Sequence, residues 1–221
     1  MTEAVDREPP DDALEARAVA AERLTFFSDA VIAIALTLLA LELPLPEGST
    51  NSALLHAAFK DREGYLAFVI SFLVIGSHWR SHHTLFRYVT GLNRRLTNLT
   101  LYWLLILVIT PFATRLLSSD GAFQARFSFY AAVQCAGCVL FVLMLREVRR
   151  DGLLRQGTPP ELFPRTVQRI TVMAVAFLVS IPVSFAAGQY AYLCWILAPA
   201  AGRAVHDWGL HDRPLQHRLR R

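Results

Sequence analysis

The sequence has none of the local signatures on which soluble enzymes are built: no Gly-rich phosphate loop, no G-x-S-x-G elbow and no H-E-x-x-H. Cysteine is scarce, and Cys135, Cys138 and Cys194 all fall within apolar runs, so their number does little to fix the redox compartment. Cys135 and Cys138 form a C-x-x-C, which on a helix puts two small, soft side chains on one face. Close packing is the plain reading, because no second Cys pair or nearby His completes a metal-ligand set. The N-terminal stretch MTEAVDREPPDDALEARAVAAE is acidic and Pro-bearing, without a basic start running into an apolar core, so it does not read as a cleaved signal peptide. Residues 1–12 are expected to be disordered and 13–24 to form a helical lead-in.

Apolar runs, in contrast, fill the chain. They lie near 25–43, 64–79, 96–117, 127–145, 167–188 and 190–205. Each approaches the length that about 30 Å of hydrocarbon requires, although 64–79 and 190–205 are short and need flanking residues to cross. Six spans use more than half of the 221 residues and leave no room for a folded soluble domain. The expected fold is all-α integral membrane, with a six-helix transmembrane domain over 23–205. Residues 1–22 and the basic 206–221 are expected as cytoplasmic tails.

Orientation follows from basic residues near span ends, which resist translocation. The side shared by both termini would hold Arg7, Arg17, Arg23, Arg87, Arg94, Arg95 and the arginines of 146–169 and 203–221, against Lys60, Arg62, Arg115 and Arg126 opposite. Both termini are therefore expected in the cytoplasm of a multi-pass cell-membrane protein. The same asymmetry explains the net charge of +4 without a nucleic-acid partner.

The histidines allow two readings. His78 and His82 stand four apart in SFLVIGSHWRSHHTLFRYV, which is metal-ligand spacing and raises a membrane metalloenzyme. Alternatively these imidazoles, with His83, Trp79 and Arg80, form a polar anchor at the interface that bonds to a neighbouring span. The anchor is preferred because no third ligand is evident.

The first span, RLTFFSDAVIAIALTLLALELPLP, carries an aspartate inside an apolar run, where an ionisable group costs a few kcal/mol. At about 100° per residue, Ile34, Thr37, Leu38 and Leu41 fall in one narrow stripe, joined by Ala30. Asp29 points about 140° from Ile34, and Ser28 about 120°. The stripe would meet lipid, a packing partner or an aqueous path, whereas Asp29 needs polar company from another span. Arg23, Arg80, His82 and His83 are the candidate partners. Ser28 or Asp29 as a helix N-cap is the competing reading.

Arg23, Phe27, Ser28 and Asp29 stand as R-x-x-x-F-S-D and run into AIALTLLALELPLP, which resembles the first-helix signature of the transmembrane protein 175 family of endosomal and lysosomal potassium channels. WRSHHTLFR is similar to that family's second helix. The resemblance covers about residues 20–205 and implies six helices per repeat, with single-repeat members assembled as homotetramers whose first helices line one central pore. A symmetric ring of stripes can surround an aqueous path that one stripe cannot. The family lacks a T-V-G-Y-G carbonyl filter, and so does this chain. Carried onto this sequence, the resemblance implies a pore constriction at Ile34, with Thr37, Leu38 and Leu41 toward the outer mouth. It also implies a packing network of Arg23, Phe27, Ser28, Asp29, His82 and His83. On the ideal wheel Arg23 projects near the stripe rather than away from it. Glu42 would either raise cation concentration at the outer mouth or act as an ordinary interfacial carboxylate beside Pro44. The expected activity is passive potassium conduction, with no covalent chemistry and no cofactor besides the permeant ion. A proton-coupled transporter or proton-leak pathway using Asp29 or His82 as a titrating relay is the alternative.

Overall fold

A computed structural model of the chain describes residues 11–198, 200 and 202. Of residues 1–12, expected to be disordered, 1–10 lie outside the described residues, as do the basic tail 206–221 and the proline at 199, while 11 and 12 already belong to the first helix. The described chain is helical throughout: α1 (Asp11–Ala40), α2 (Asn51–Lys60), α3 (Arg62–Phe86), α4 (Arg94–Ser118), α5 (Phe123–Arg150) and α6 (Leu162–Ala187). A 3-10 turn over Gly188–Ala191 then leads into a last helix, α7, of which 192–198 are described.

Four stretches are long and apolar enough to cross a membrane: Glu15–Ala40, Arg94–Ser118, Phe123–Arg150 and Leu162–Ala198. The last joins α6 and α7, which the sequence pattern separates as 167–188 and 190–205. Pro182 lies inside α6 without ending it. The weak run at 64–79 does borrow its neighbours. α3 has the same 25 residues as α4, and its polar end with His78, Arg80, His82 and His83 explains its low hydropathy.

Two expectations need correction. α1 starts at Asp11, so the lead-in and the first span form one unbroken helix. Ser28 and Asp29 therefore sit in a helix interior, and the capping reading fails because their neighbours' N–H groups are already bonded along the helix. α2 was not expected at all. Its ten residues are too short to show as a span, and its start is fixed by Thr50, whose hydroxyl accepts from Ala53 N at 3.2 Å.

α4 is the hub, packing against α1, α3 and α5, and α6 packs on α5. Two apolar clusters fill the interior, one around Ile32, Leu39, Ile75, Trp103 and Phe141, the other around Ala67, Phe127, Tyr130, Phe177 and Trp195. Lipid is as apolar as these side chains, so packing and interhelical hydrogen bonds supply the specificity. Thr114 Oγ1 donates to Ser71 Oγ at 2.7 Å, and Ser71 Oγ shares a 2.9 Å bond with Tyr130 Oη, which ties α3, α4 and α5 together. Trp195 Nε1 donates to Ser180 Oγ at 2.8 Å and docks α7 on α6.

The loops at one end are built as firmly. Gly152 takes a left-handed φ of 62°, which lets Leu153 N reach back to Val148 O at 3.1 Å and close α5. The next residues pair with the segment after α3: Thr90 N donates to Leu153 O and Arg155 N to Tyr88 O, each at 2.9 Å. Asn93 caps α4 through Leu96 N and donates to Glu147, whose carboxylate also meets Arg95 at 3.3 Å. The end of α3 and the start of α6 thus share one side of the bundle.

Candidate functional site: the two faces of the first helix

One face of α1 is closed off. Ser28, Ile32, Ala35 and Leu39 are buried at seven-residue-type spacing, and this face meets α3 and α4. The opposite face is open over its whole length. Ile34 is 58% exposed, Leu38 43% and Leu41 78%, with Thr37 beside them and Arg23, Phe27 and Ala30 continuing the row below. All four stripe residues thus lie on one unpartnered face of the isolated subunit.

Thr37 is the polar point in that row. Its Oγ1 donates to Ile34 O at 2.8 Å. With the proton turned into the helix, the oxygen lone pairs are left facing outward, where they can accept a cation or a water. At the far end, Glu42 is not a lone charge: Arg115 Nε on α4 stands 3.6 Å from its Oε2. The chain then turns onto α3, where Tyr65 Oη donates to Pro44 O at 3.0 Å and a Cβ at Gly64 would come within 3.0 Å of the Pro44 ring. A larger residue at 64 would push the Pro44 ring aside by a few tenths of an ångström.

At the other end of the stripe the R-x-x-x-F-S-D residues divide between the two faces. Ser28 is fully buried and donates to Leu24 O at 2.8 Å, which spends its hydroxyl on its own helix. Asp29 Oδ1 accepts from Trp79 Nε1 at 3.0 Å. This corrects the expected partners. Among the described residues Asp29 has no ion pair with Arg23, Arg80, His82 or His83, because Trp79 on the facing turn of α3 reaches it first. Arg23 and Phe27 remain on the open face, as the ideal wheel indicated for Arg23.

The two later histidines have different roles. His83 is exposed and stacks on Trp79 at 5.6 Å, backing the indole that holds Asp29. His82 is fully buried, sandwiched between Trp103 at 4.9 Å and Phe86 at 4.1 Å, with neither ring nitrogen hydrogen-bonded. Trp103 also donates from Nε1 to His78 Nδ1 at 3.3 Å. Sequence reasoning missed both tryptophans as organisers. Trp79 lay in plain view within WRSHHTLFR, but nothing in the sequence marks Trp103 as its counterpart.

Among the described residues no three His, Cys, Asp or Glu side chains converge. Cys138 is buried in the core and Cys135 is half-buried. Between them Gly137 lets α4 approach, since a Cβ there would stand 3.2 Å from Ile106 Cγ2. The C-x-x-C is therefore a packing site.

Residues 23–111 match the family described as Endosomal/lysosomal potassium channel TMEM175. A potassium channel of Chamaesiphon minutus is 30% identical over 187 residues, a match spanning 80% of this chain and 90% of that protein. This chain belongs to the TMEM175 family. A potassium channel of Streptomyces collinus is 35% identical over 136 residues, which cover 60% of this chain and 66% of that protein, just under two thirds of its length. The solved crystal structure of a lysosomal potassium-selective channel TMEM175 homolog from Chamaesiphon minutus superposes with a TM-score of 0.70 at 24% identity, covering 82% of this chain and 96% of the other, and shows the same fold. The protein is thus a multi-pass membrane protein of a channel family, not an enzyme. The matched stretch holds both the open face of α1 and its Trp79 anchor.

Proposed function

We propose that the protein is a potassium channel of the cell membrane in which four copies set their α1 helices around one central pore, with both termini in the cytoplasm. The observation that carries this reading is the open face of α1: a membrane helix with one face closed by α3 and α4 and the other left with Ile34, Thr37, Leu38 and Leu41 in one row. The related proteins in Streptomyces collinus and Chamaesiphon minutus, both named potassium channels, supply the permeant ion.

In this reading a ring of Ile34 side chains forms the neck and closes it by dewetting, while Thr37 oxygens accept a partly dehydrated cation just beyond. Potassium passes more readily than sodium because it gives up its hydration more easily at an apolar neck. Glu42, balanced by Arg115, contributes a weak pull on cations at the outer mouth. Trp79, held by His83, fixes the rotation of α1 through Asp29, so the stripe keeps facing the axis. The titrating-relay alternative is less well supported: Asp29 is already engaged with an indole, and Pro182 does not break α6.

Cysteine accessibility tests the pore lining. In a background with Cys135, Cys138 and Cys194 replaced by alanine, a charged thiol reagent is expected to block potassium flux through Leu38→Cys. It should spare Leu105→Cys, an equally exposed position on α4. Block at 105 but not at 38 would move the pore to another helix.

A further inference from the structure

A second polar place lies away from α1, in the seam between α3 and α6. These helices make only sparse backbone contact, yet Arg169 of α6 reaches across and its Nη2 donates to Ser81 Oγ of α3. Ser81 is buried and sends its own proton to Ser77 O at 2.8 Å, so its lone pairs are fixed toward the guanidinium. Arg80 is the residue before Ser81 on α3, so its side chain starts from the same turn that Arg169 reaches. His78, one turn deeper on α3, is buried.

Among the described residues neither arginine has a carboxylate partner. The ion pairs among the described residues are Arg95 with Glu147, Arg115 with Glu42 and Arg165 with Glu161; none includes Arg80 or Arg169. Two guanidiniums gathered at one turn of a membrane helix near the interface repel each other unless an anion lies between them. Their depth suits a lipid phosphate. Arg80 stands six residues before the end of α3 and Arg169 seven residues after the start of α6, so each lies about 10 Å inside its helix end. These two ends share one side of the bundle, the side assigned to the cytoplasm by its arginines. One turn deeper on α3, Gly76 faces open space and Leu73 is 64% exposed, which leaves an apolar track leading from the two arginines into the bilayer.

We propose that this seam binds the phosphate of an anionic phospholipid, clasped by Arg80 and Arg169 with an acyl chain lying over Gly76 and Leu73. A guanidinium pair matches phosphate oxygens in shape and charge, and basic pockets between membrane helices on the cytoplasmic side are suited to such headgroups. The site is independent of conduction, so it stands or falls separately from the channel reading.

Native mass spectrometry of the delipidated protein, titrated with phosphatidylglycerol or phosphatidylcholine, tests it. Wild type is expected to take up phosphatidylglycerol in preference. Arg80→Gln and Arg169→Gln should each weaken that uptake about tenfold or more, the loss of one charge-assisted bond. Arg149→Gln, at the exposed end of α5, should bind as wild type does, and Arg169→Lys should recover part of the loss. If Arg169→Gln fails to fold, the exposed Arg80 still carries the test. Undiminished phosphatidylglycerol uptake in the Arg80 variant, equal uptake of phosphatidylcholine, or displacement of the lipid by inorganic phosphate at matching concentration would each overturn the proposal.

Discussion

Ile32 and Ile34 are the same residue type two positions apart on one helix, yet they face opposite environments, and replacing each by alanine separates fold from pore. Ile32 is 1% exposed within the larger apolar cluster; Ile34 is 58% exposed. In lipid the transfer contribution is small, so the cost at Ile32 is chiefly the hole left behind. Removing three carbons leaves roughly 75 Å³, which at about 24 cal/mol per Å³ costs about 1.8 kcal/mol. For a chain of this size that lowers the melting temperature by about 4–7 °C. Ile34→Ala opens no hole inside the subunit and should cost less than about 0.5 kcal/mol. Leak should change in the opposite sense: Ile34→Ala widens the neck and raises resting potassium flux, while Ile32→Ala leaves flux per folded channel unchanged. Detergent-solubilised thermal melts read by size-exclusion chromatography, paired with liposome flux, measure both. Equal destabilisation by the two substitutions, or a larger flux change at Ile32, would refute the assignment of faces.

Four further outcomes follow from individual contacts. Trp79→Phe removes the indole donor from the half-buried Asp29 carboxylate, so it should destabilise by about 0.5–1.5 kcal/mol. Asp29→Asn keeps an accepting oxygen for Trp79 and should melt closer to wild type than Trp79→Phe does. Thr37→Val preserves shape on an exposed face and should leave the melt unchanged while lowering potassium flux, because the outward lone pairs are gone; unchanged flux would remove Thr37 from the ion's path. Glu42→Gln frees Arg115 at the outer mouth, so inward potassium flux should fall at low salt and recover above about 0.1 M, where the charge is screened. A loss independent of salt would mean Glu42 holds structure rather than ions.

Much of the architecture was legible because lipid imposes one constraint, length of apolar run, that a sequence states openly. The strong spans at 96–117 and 127–145 lie inside α4 and α5, and the one at 25–43 falls in α1 except for its last three residues. The stripe of Ile34, Thr37, Leu38 and Leu41 was legible for a similar reason: a helix has one period, and the wheel needs no partner. What stayed hidden depends on who stands opposite. Asp29 announced that it needed a polar neighbour, but four charged or titratable candidates lay near it, and the neutral indole of Trp79 took the bond. Glu42 read as an outer-mouth carboxylate and not as the partner of Arg115, 73 residues further along. α2 escaped because ten amphipathic residues at the surface look like loop when judged by hydropathy. The pairing of Tyr88 and Thr90 with the 153–155 segment rests on backbone groups, which carry no residue signature.

The central claim is that ions pass along the open face of α1 with their narrowest point at Ile34. Potassium and sodium flux into liposomes holding the purified protein, driven by an imposed gradient of each ion and compared with Ile34→Asn, tests it most directly. The account predicts rapid potassium flux that needs no proton gradient in wild type, with the preference over sodium reduced or lost in the variant. Flux that appears only with a proton gradient, or selectivity unchanged by Ile34→Asn, would contradict it.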